Sequence, residues 1–299
     1  MDRLLRGINL DLTVRLVAAI ATETVRDACA RHELRGPEAV ALGRGIVAGC
    51  LLATLTKHED ERVRIAVEGN GVIGRLLVDA LANGDVRGCL ERRSDTAAPA
   101  ARAPHGPRIS LREWIGDHGR VVVTRDLGLE NQYQGVVAIE EGELDRDLER
   151  YLEHSEQLPS ALACEVVLDA RGAVLRAGGV LCQSFPAAPP DVLDPVRERL
   201  RGDELAQLMS SERSPDDLMG FALGGEAFDA MDSSPLRFRC NCGPERAHAV
   251  LSTLGADDLE ELAREPGDTE VRCSYCGSSY HVDAEALLRL AQRLRDERS

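Results

Sequence analysis

Aromatic side chains are scarce in this chain: one Trp, four Tyr and four Phe among 299 residues, 3% of the total. A core must therefore be filled by aliphatic residues, and the 43% hydrophobic content supplies enough for one large domain and a smaller one. Lysine is almost missing, with Lys57 the only one, a bias of composition rather than of a site. An excess of positive charge is missing too. The formal charge is −15, whereas a surface that binds polyphosphate normally displays a basic patch, so no nucleic-acid partner is expected. No stretch approaches the ~20 uninterrupted apolar residues that cross a bilayer. Met1–Leu10 carries Asp2, Arg3 and Arg6 and no apolar signal core. The expectations are no membrane and a cytoplasmic address. Nucleotide fingerprints are also lacking: there is no G-x-x-x-x-G-K, and Gly69, Gly71 and Gly74 do not follow the dinucleotide pattern and are assigned to turns.

Cysteine, by contrast, is plentiful and patterned. Nine are present, an odd count in a large chain without an export signal, so reduced thiols are the resting expectation. Cys240-x-Cys242 and Cys273-x-x-Cys276, with 30 residues between the pairs, form a four-thiolate metal pattern. Zn²⁺ takes four ligands at tetrahedral corners, and two close pairs joined by a loop supply them. Four sulfurs leave no position for a catalytic water, which points to a structural or switchable zinc rather than a hydrolytic one. His281 and His248 lie nearby in sequence but are not needed as ligands. Cys29, Cys50, Cys89, Cys164 and Cys182 lack paired spacing and are expected to be small buried hydrophobes. The acidic cluster Glu140, Glu141, Glu143, Asp145 and Asp147 is expected to be a solvated helix start.

Along the chain, residues from Leu10 to Arg31 and from Pro37 to Lys57 show helical spacing, with Pro37 suited to a first turn. Alternation over Val63–Val67, the turn Gly69-Asn70-Gly71, the run Val72–Val78, the turn Asn83-Gly84 and the run Val86–Leu90 predict an antiparallel meander. Strands follow at Arg120–Thr124 and Tyr133–Ile139. A helix is predicted at Leu144–Leu158, and a hairpin from Cys164–Leu168 and Ala173–Cys182. The segment Asp95–Pro107 is expected to be a surface loop. The fold class is α+β, with a core domain over residues 1–185. Phe185-Pro186-Ala187-Ala188-Pro189-Pro190 marks its end. From Asp191 to Pro235 the pattern is helical but poor in large apolar side chains, with one helix opened by Ser214-Pro215-Asp216-Asp217 and closed near Gly224-Gly225. Such a segment, 186–235, depends on its neighbours for stability and is suited to unfold on command. Residues 236–299 form the zinc-binding domain.

Thiolates, not thiols, bind zinc, so the site holds its sulfurs deprotonated and open to oxidation. An oxidant converts one to a sulfenic acid, and a neighbouring thiol condenses with it, removing two ligands. Zinc binding is worth roughly 10–16 kcal/mol in small peptides and is coupled to folding, so its loss would unfold the segment. A plain staple for a small domain fits the same spacing.

The signature Phe238-Arg239-Cys240-Asn241-Cys242, then Glu245-Arg246, then Cys273-Ser274-Tyr275-Cys276-Gly277 with Tyr280, resembles the heat shock protein 33 family of redox-regulated bacterial holdase chaperones. Glu68-Gly69-Asn70-Gly71, Tyr133-Gln134-Gly135-Val136-Val137, Ser155-Glu156-Gln157-Leu158-Pro159 and Ala177-Gly178-Gly179 are similar to that family's core motifs, in order. The resemblance implies an α+β core domain, a metastable helical linker and a C-terminal zinc domain. It implies one Zn²⁺ on Cys240, Cys242, Cys273 and Cys276 in a reduced, inactive monomer. Oxidation is then expected to form Cys240–Cys242 and Cys273–Cys276 disulfides, the first closing a small, easily reduced ring. Zinc leaves, the linker unfolds, the protein dimerises, and unfolding client proteins are held without ATP. No enzymatic activity is implied.

Two rival classes share the cysteines. A zinc-ribbon nucleic-acid binder is opposed by the segment Cys240–Ser299, whose seven Arg and no Lys against twelve Asp plus Glu leave it at −5. A thiol oxidoreductase using Cys273-x-x-Cys276 would place that motif at a helix start after a strand in a βαβ setting.

Overall fold

A computed structural model of the chain describes residues 1–56, 58, 61–96, 108–126 and 132–296, and it divides into two units, Met1–Arg239 and Cys240–Ser299. The expected loop Asp95–Pro107 lies outside the described residues from 97 onward.

The first unit opens with two strands, β1 (Arg3–Asn9) and β2 (Val14–Ile20), before helices α1 (Thr22–Arg31) and α2 (Gly36–Ala53). This corrects the reading of Leu10–Arg31 as one helix. Val14, Leu16, Val17, Ala18 and Ala19 are all buried, so β2 is covered on both faces and its apolar residues stand at consecutive positions, which removes the alternation that marks a strand. The chain becomes helical at Thr22, where the Thr24 amide donates to the Asp2 carboxylate at 2.6 Å.

Next come β3 (Arg62–Gly69), β4 (Ile73–Leu81) and β5 (Asp85–Arg92), the expected meander, with Gly84 at φ +87° in the turn between β4 and β5. The short helix α3 (Arg112–Ile115) leads to β6 (Gly119–Asp126) and β7 (Tyr133–Ala138), then α4 (Leu144–His154) and the hairpin β8 (Ser160–Leu168) and β9 (Val174–Ser184). Helices α5 (Asp194–Arg201), α6 (Glu204–Leu208) and α7 (Pro215–Ala222) follow, then β10 (Phe228–Pro235) and β11 (Arg237–Phe238). The strands form two sheets, ordered β10-β1-β2-β9-β8 and β11-β5-β4-β3-β6-β7, antiparallel throughout except for β11 against β5.

Helix α2 lies between the sheets. A Cβ at Gly43 would stand 2.7 Å from Val166 of β8, and one at Gly49 would stand 2.8 Å from Val78 of β4, so glycine at both positions lets both sheets close onto the helix. Among the described residues α2 is the one helix long and apolar enough to cross a membrane, and it is buried in the fold.

The other face of the first sheet is apolar as well. Val14, Leu16, Ala18, Ala163, Val180 and Cys182 form a second cluster there with residues of α5, α6 and α7, including Leu200, Leu205, Leu218 and Met219. Cys164, three residues along β8 from Ala161, belongs instead to the cluster around α2. Helix α7 starts as expected: the Asp217 amide donates to the Ser214 hydroxyl at 3.3 Å, and the Ser214 amide donates to the Asp217 carboxylate at 2.7 Å. The helical reading through Pro235 is corrected. Gly224 and Gly225 adopt φ of +71° and +89°, ending the helix, and Phe228–Pro235 then pairs with the free edge of β1.

The acidic cluster does stand at a helix start, with Glu140 and Glu141 exposed as expected, but the reading is corrected for its other half. Asp145 and Asp147 are each 1% exposed. Asp147 accepts the Glu140 amide at 3.1 Å, and Asp145 accepts from Arg108 at 2.7 Å. The fully buried Arg44 of α2 donates to Glu143 at 3.2 Å and to Glu165 at 2.8 Å. Burial works against ionised Asp145, yet Arg108 and Arg44 outweigh it and hold its pKa below the ordinary carboxylate range.

Glu149 of α4 is pushed the other way. Burial raises its pKa to about 7, against the opposing pull of the Leu162 amide, 2.6 Å away, and Arg146, 3.6 Å away. An acid that holds its proton more tightly when folded subtracts stability as pH rises from its ordinary value near 4.5 through 7. Glu149→Gln keeps the acceptor for the Leu162 amide and removes the charge. It is expected to stabilise the protein at pH 8 by on the order of 2 kcal/mol, with almost no gain at pH 4. Denaturant midpoints measured at both pH values check this, and an equal shift at both would contradict it.

Candidate metal centre

The second unit is small. Helices α8 (Pro244–Leu251) and α9 (Ala256–Leu262), the antiparallel hairpin β12 (Thr269–Arg272) and β13 (Ser279–Val282), and α10 (Ala284–Asp296) share a core of Leu251, Leu259, Val282, Leu287, Leu290 and Ala291. So few buried aliphatic side chains, in a unit of about 60 residues, hold a fold weakly without a cross-link or a metal.

The hairpin turn carries one cysteine pair. The Cys273 amide donates to the Ser278 carbonyl at 2.9 Å, and the Gly277 amide donates to the Cys273 carbonyl at 2.9 Å. Gly277 sits at φ +72°, a conformation that a side chain would strain, which accounts for glycine directly after Cys276. The other pair lies on the extended stretch before α8, where Pro244 occupies the first turn.

All four sulfurs lie within 4.8 Å of one another. Across the pairs, Cys240 Sγ is 3.7 Å from Cys273 Sγ, and Cys242 Sγ is 3.2 Å from Cys276 Sγ. A tetrahedral zinc with Zn–S of about 2.3 Å places its sulfurs about 3.8 Å apart, so the donor set fits this ion. Cys276 is buried, and the other three are partly so. His248 and His281 are exposed and stand outside the sulfur group.

Two hydroxyls support the sulfurs. Tyr280 Oη donates to Cys242 Sγ at 3.0 Å, and Ser278 Oγ lies 3.3 Å from Cys276 Sγ. Burial disfavours ionised Cys276, but hydrogen bonds from the Ser278 hydroxyl and amide and from the Cys242 and Cys273 thiols outweigh it and bring its pKa down to about 7. Cys242 is pushed up to about 12, by burial first and then by the Cys276 and Cys240 thiols. Thiols packed this closely cannot all ionise by themselves. A cation among them removes that obstacle. Ser278 was not singled out by the sequence reading; its only signal is a short polar residue two positions after a ligand. The five cysteines of the first unit are buried, and burial raises their thiols to about 12 for Cys29, Cys50 and Cys182, to about 11 for Cys89, and well above the ordinary value for Cys164.

The fold and cluster define an α+β protein with a C-terminal four-cysteine unit of the zinc-binding kind. The family model described as Hsp33 protein matches residues 2–283, and the chain belongs to that family of chaperones. A 33 kDa chaperonin of Geobacter sulfurreducens is 33% identical over 296 residues, covering 99% of this chain and 95% of that protein. One from Bacillus cereus (strain AH187) is 32% identical over 294 residues, 98% and 99% of the two chains. The crystal structure of the 33 kDa chaperonin (heat shock protein 33 homolog) of Thermotoga maritima superposes with a TM-score of 0.85 at 28% identity, covering 99% of each chain.

Loss of one sulfur, as in Cys273→Ser, is expected to weaken metal retention and to raise protease sensitivity in reducing buffer. Tyr280→Phe removes only the hydrogen bond to Cys242 and is expected to weaken zinc affinity roughly 10-fold. Competition against a chromogenic chelator measures both, and unchanged affinity in either variant would contradict the assignment.

Proposed function

We propose that this chain is a redox-regulated, ATP-independent holdase, a cytoplasmic chaperone that binds unfolding proteins and prevents their aggregation under oxidative stress. It catalyses no reaction. In the reduced state it is an inactive monomer with one Zn²⁺ on Cys240, Cys242, Cys273 and Cys276. The bound ion supplies the positive charge that allows four thiolates to share one site. Peroxide takes two electrons from each cysteine pair: one thiolate becomes a sulfenic acid, its neighbour displaces the hydroxyl, and the two oxygens leave as water with protons from solvent. Once Cys240–Cys242 and Cys273–Cys276 are disulfides, no donor set remains. The core domain, 1–185, stays folded, the linker, 186–235, unfolds, and the oxidised subunits pair into a homodimer.

One observation carries this reading: the apolar outer face of the first sheet is covered by α5, α6 and α7, which are eight, five and eight residues long. Helices that short do not persist in water by themselves. Their downstream continuation runs through β10 and β11 to Arg239, whose amide donates to the Val86 carbonyl at 2.9 Å, and the next residue is the first cysteine of the cluster. Loss of order at Cys240 therefore begins where the cover is anchored in sequence. The net charge of −5 on the second unit speaks against the nucleic-acid reading.

Peroxide treatment at mild heat tests the proposal, with metal release followed by a chelator and light scattering by a thermally unfolding client. Release accompanied by suppressed scattering is expected; release without suppression would sink the reading. Met219→Asp places a charge in the fully buried layer under α7. This variant is expected to suppress client aggregation in reducing buffer with its metal still bound, and failure to do so would remove the sheet face from the account.

A further inference from the structure

The geometry points to the outer edge of β1 as a docking site for extended, non-native polypeptide of any sequence, occupied at rest by β10. This rests on the holdase reading and names how a client would be gripped.

Strand β10 pairs with β1 from Arg3↔Pro235 to Asn9↔Phe228, with a register irregularity between Leu5 and Gly7. Its side chains contribute little to that hold. Asp229 through Ser233 are all exposed, Met231 at 67%. The side-chain ties are an ion pair from Arg6 to Asp232, the Ser233 hydroxyl donating to the Leu4 carbonyl at 2.9 Å, and the partly buried Phe228. Asp, Ser and Pro are poor strand formers, and Pro235 has no amide to donate. A segment with this composition stays extended because the edge of β1 satisfies its backbone. The same edge would do so for another chain.

Gly7 shapes the edge. A Cβ there would stand 2.9 Å from the Asp229 carbonyl oxygen, so its absence lets a neighbouring backbone close in. Beside the edge lies the apolar layer that α5–α7 cover, to which Leu5 of β1 itself belongs. Removal of residues 186–235 would uncover a bare strand edge and an apolar face together. A partly unfolded protein offers the complement, unpaired amides and carbonyls on an extended segment with apolar side chains. Backbone pairing is indifferent to side-chain identity, as a receptor for unfolding proteins in general requires.

The test uses the full chain oxidised by peroxide at mild heat, with two short fluorescent peptides of alternating Val and Thr ending in Lys. They are identical except that one is N-methylated at every amide. The unmethylated peptide is expected to bind at least about tenfold more tightly and to slow amide hydrogen exchange in Arg3–Asn9. Equal binding of the two peptides, or unchanged exchange in β1, overturns the proposal. So does slow exchange in the peptide-free oxidised protein that is lost on dilution to monomer, which would assign the edge to a second copy. Aggregation of a thermally unfolding client is followed in parallel. Suppression without peptide protection of β1 removes the edge site and leaves the holdase reading intact. No suppression at all removes both.

Discussion

A β-sheet that is apolar on both faces needs two covers, and the first sheet here has covers of different kinds. One is α2 with the second sheet behind it, a thick layer closed by glycine contacts on both sides. The other is three short helices. Burial of aliphatic residues of the same kinds stabilises both layers in proportion to area, but the inner layer is locked by strands and a long helix. The outer one depends on segments with no stability of their own. That asymmetry makes a graded response available to a single chain: one side can be lost while the other persists.

The sulfur cluster belongs to the same logic. With a core cluster of six buried aliphatic residues, the second unit has little apolar core of its own, and four sulfurs close enough together to hold a metal ion offer it a cross-link of the kind that small folds need. Tyr280 and Ser278 brace two of the four sulfurs. On the proposed reading, chemistry at a few atoms is coupled to the order of a whole unit.

Much of this was legible in sequence wherever the governing chemistry is local. The α7 start was readable because Ser214, Pro215 and Asp217 carry a complete capping arrangement within four residues. The β3–β5 meander was readable because one face alternates and its turns contain glycine. The cysteine cluster was readable because the ligand type and spacing are the site. What was not legible depended on partners distant in the chain. Strand β2 looked helical because burial on both faces erased its period. Strand β10 gave no signal because backbone pairing, not side-chain burial, holds it. The burial within the acidic cluster was not legible because Arg44 and Arg108, which neutralise Glu143 and Asp145, come from elsewhere in the sequence.

One consequence of the two-faced hairpin concerns its own sulfur atoms. Cys164 points into the inner layer and Cys182 into the outer one, and burial, with a smaller push from the Glu149 carboxylate, keeps the Cys182 thiol protonated at neutral pH. An alkylating dye added to the native chain would therefore find Cys164 sealed whatever happens outside, while Cys182 would become reactive when the three-helix roof lifts. The hairpin contains its own optical gauge and internal blank, needing no engineered label.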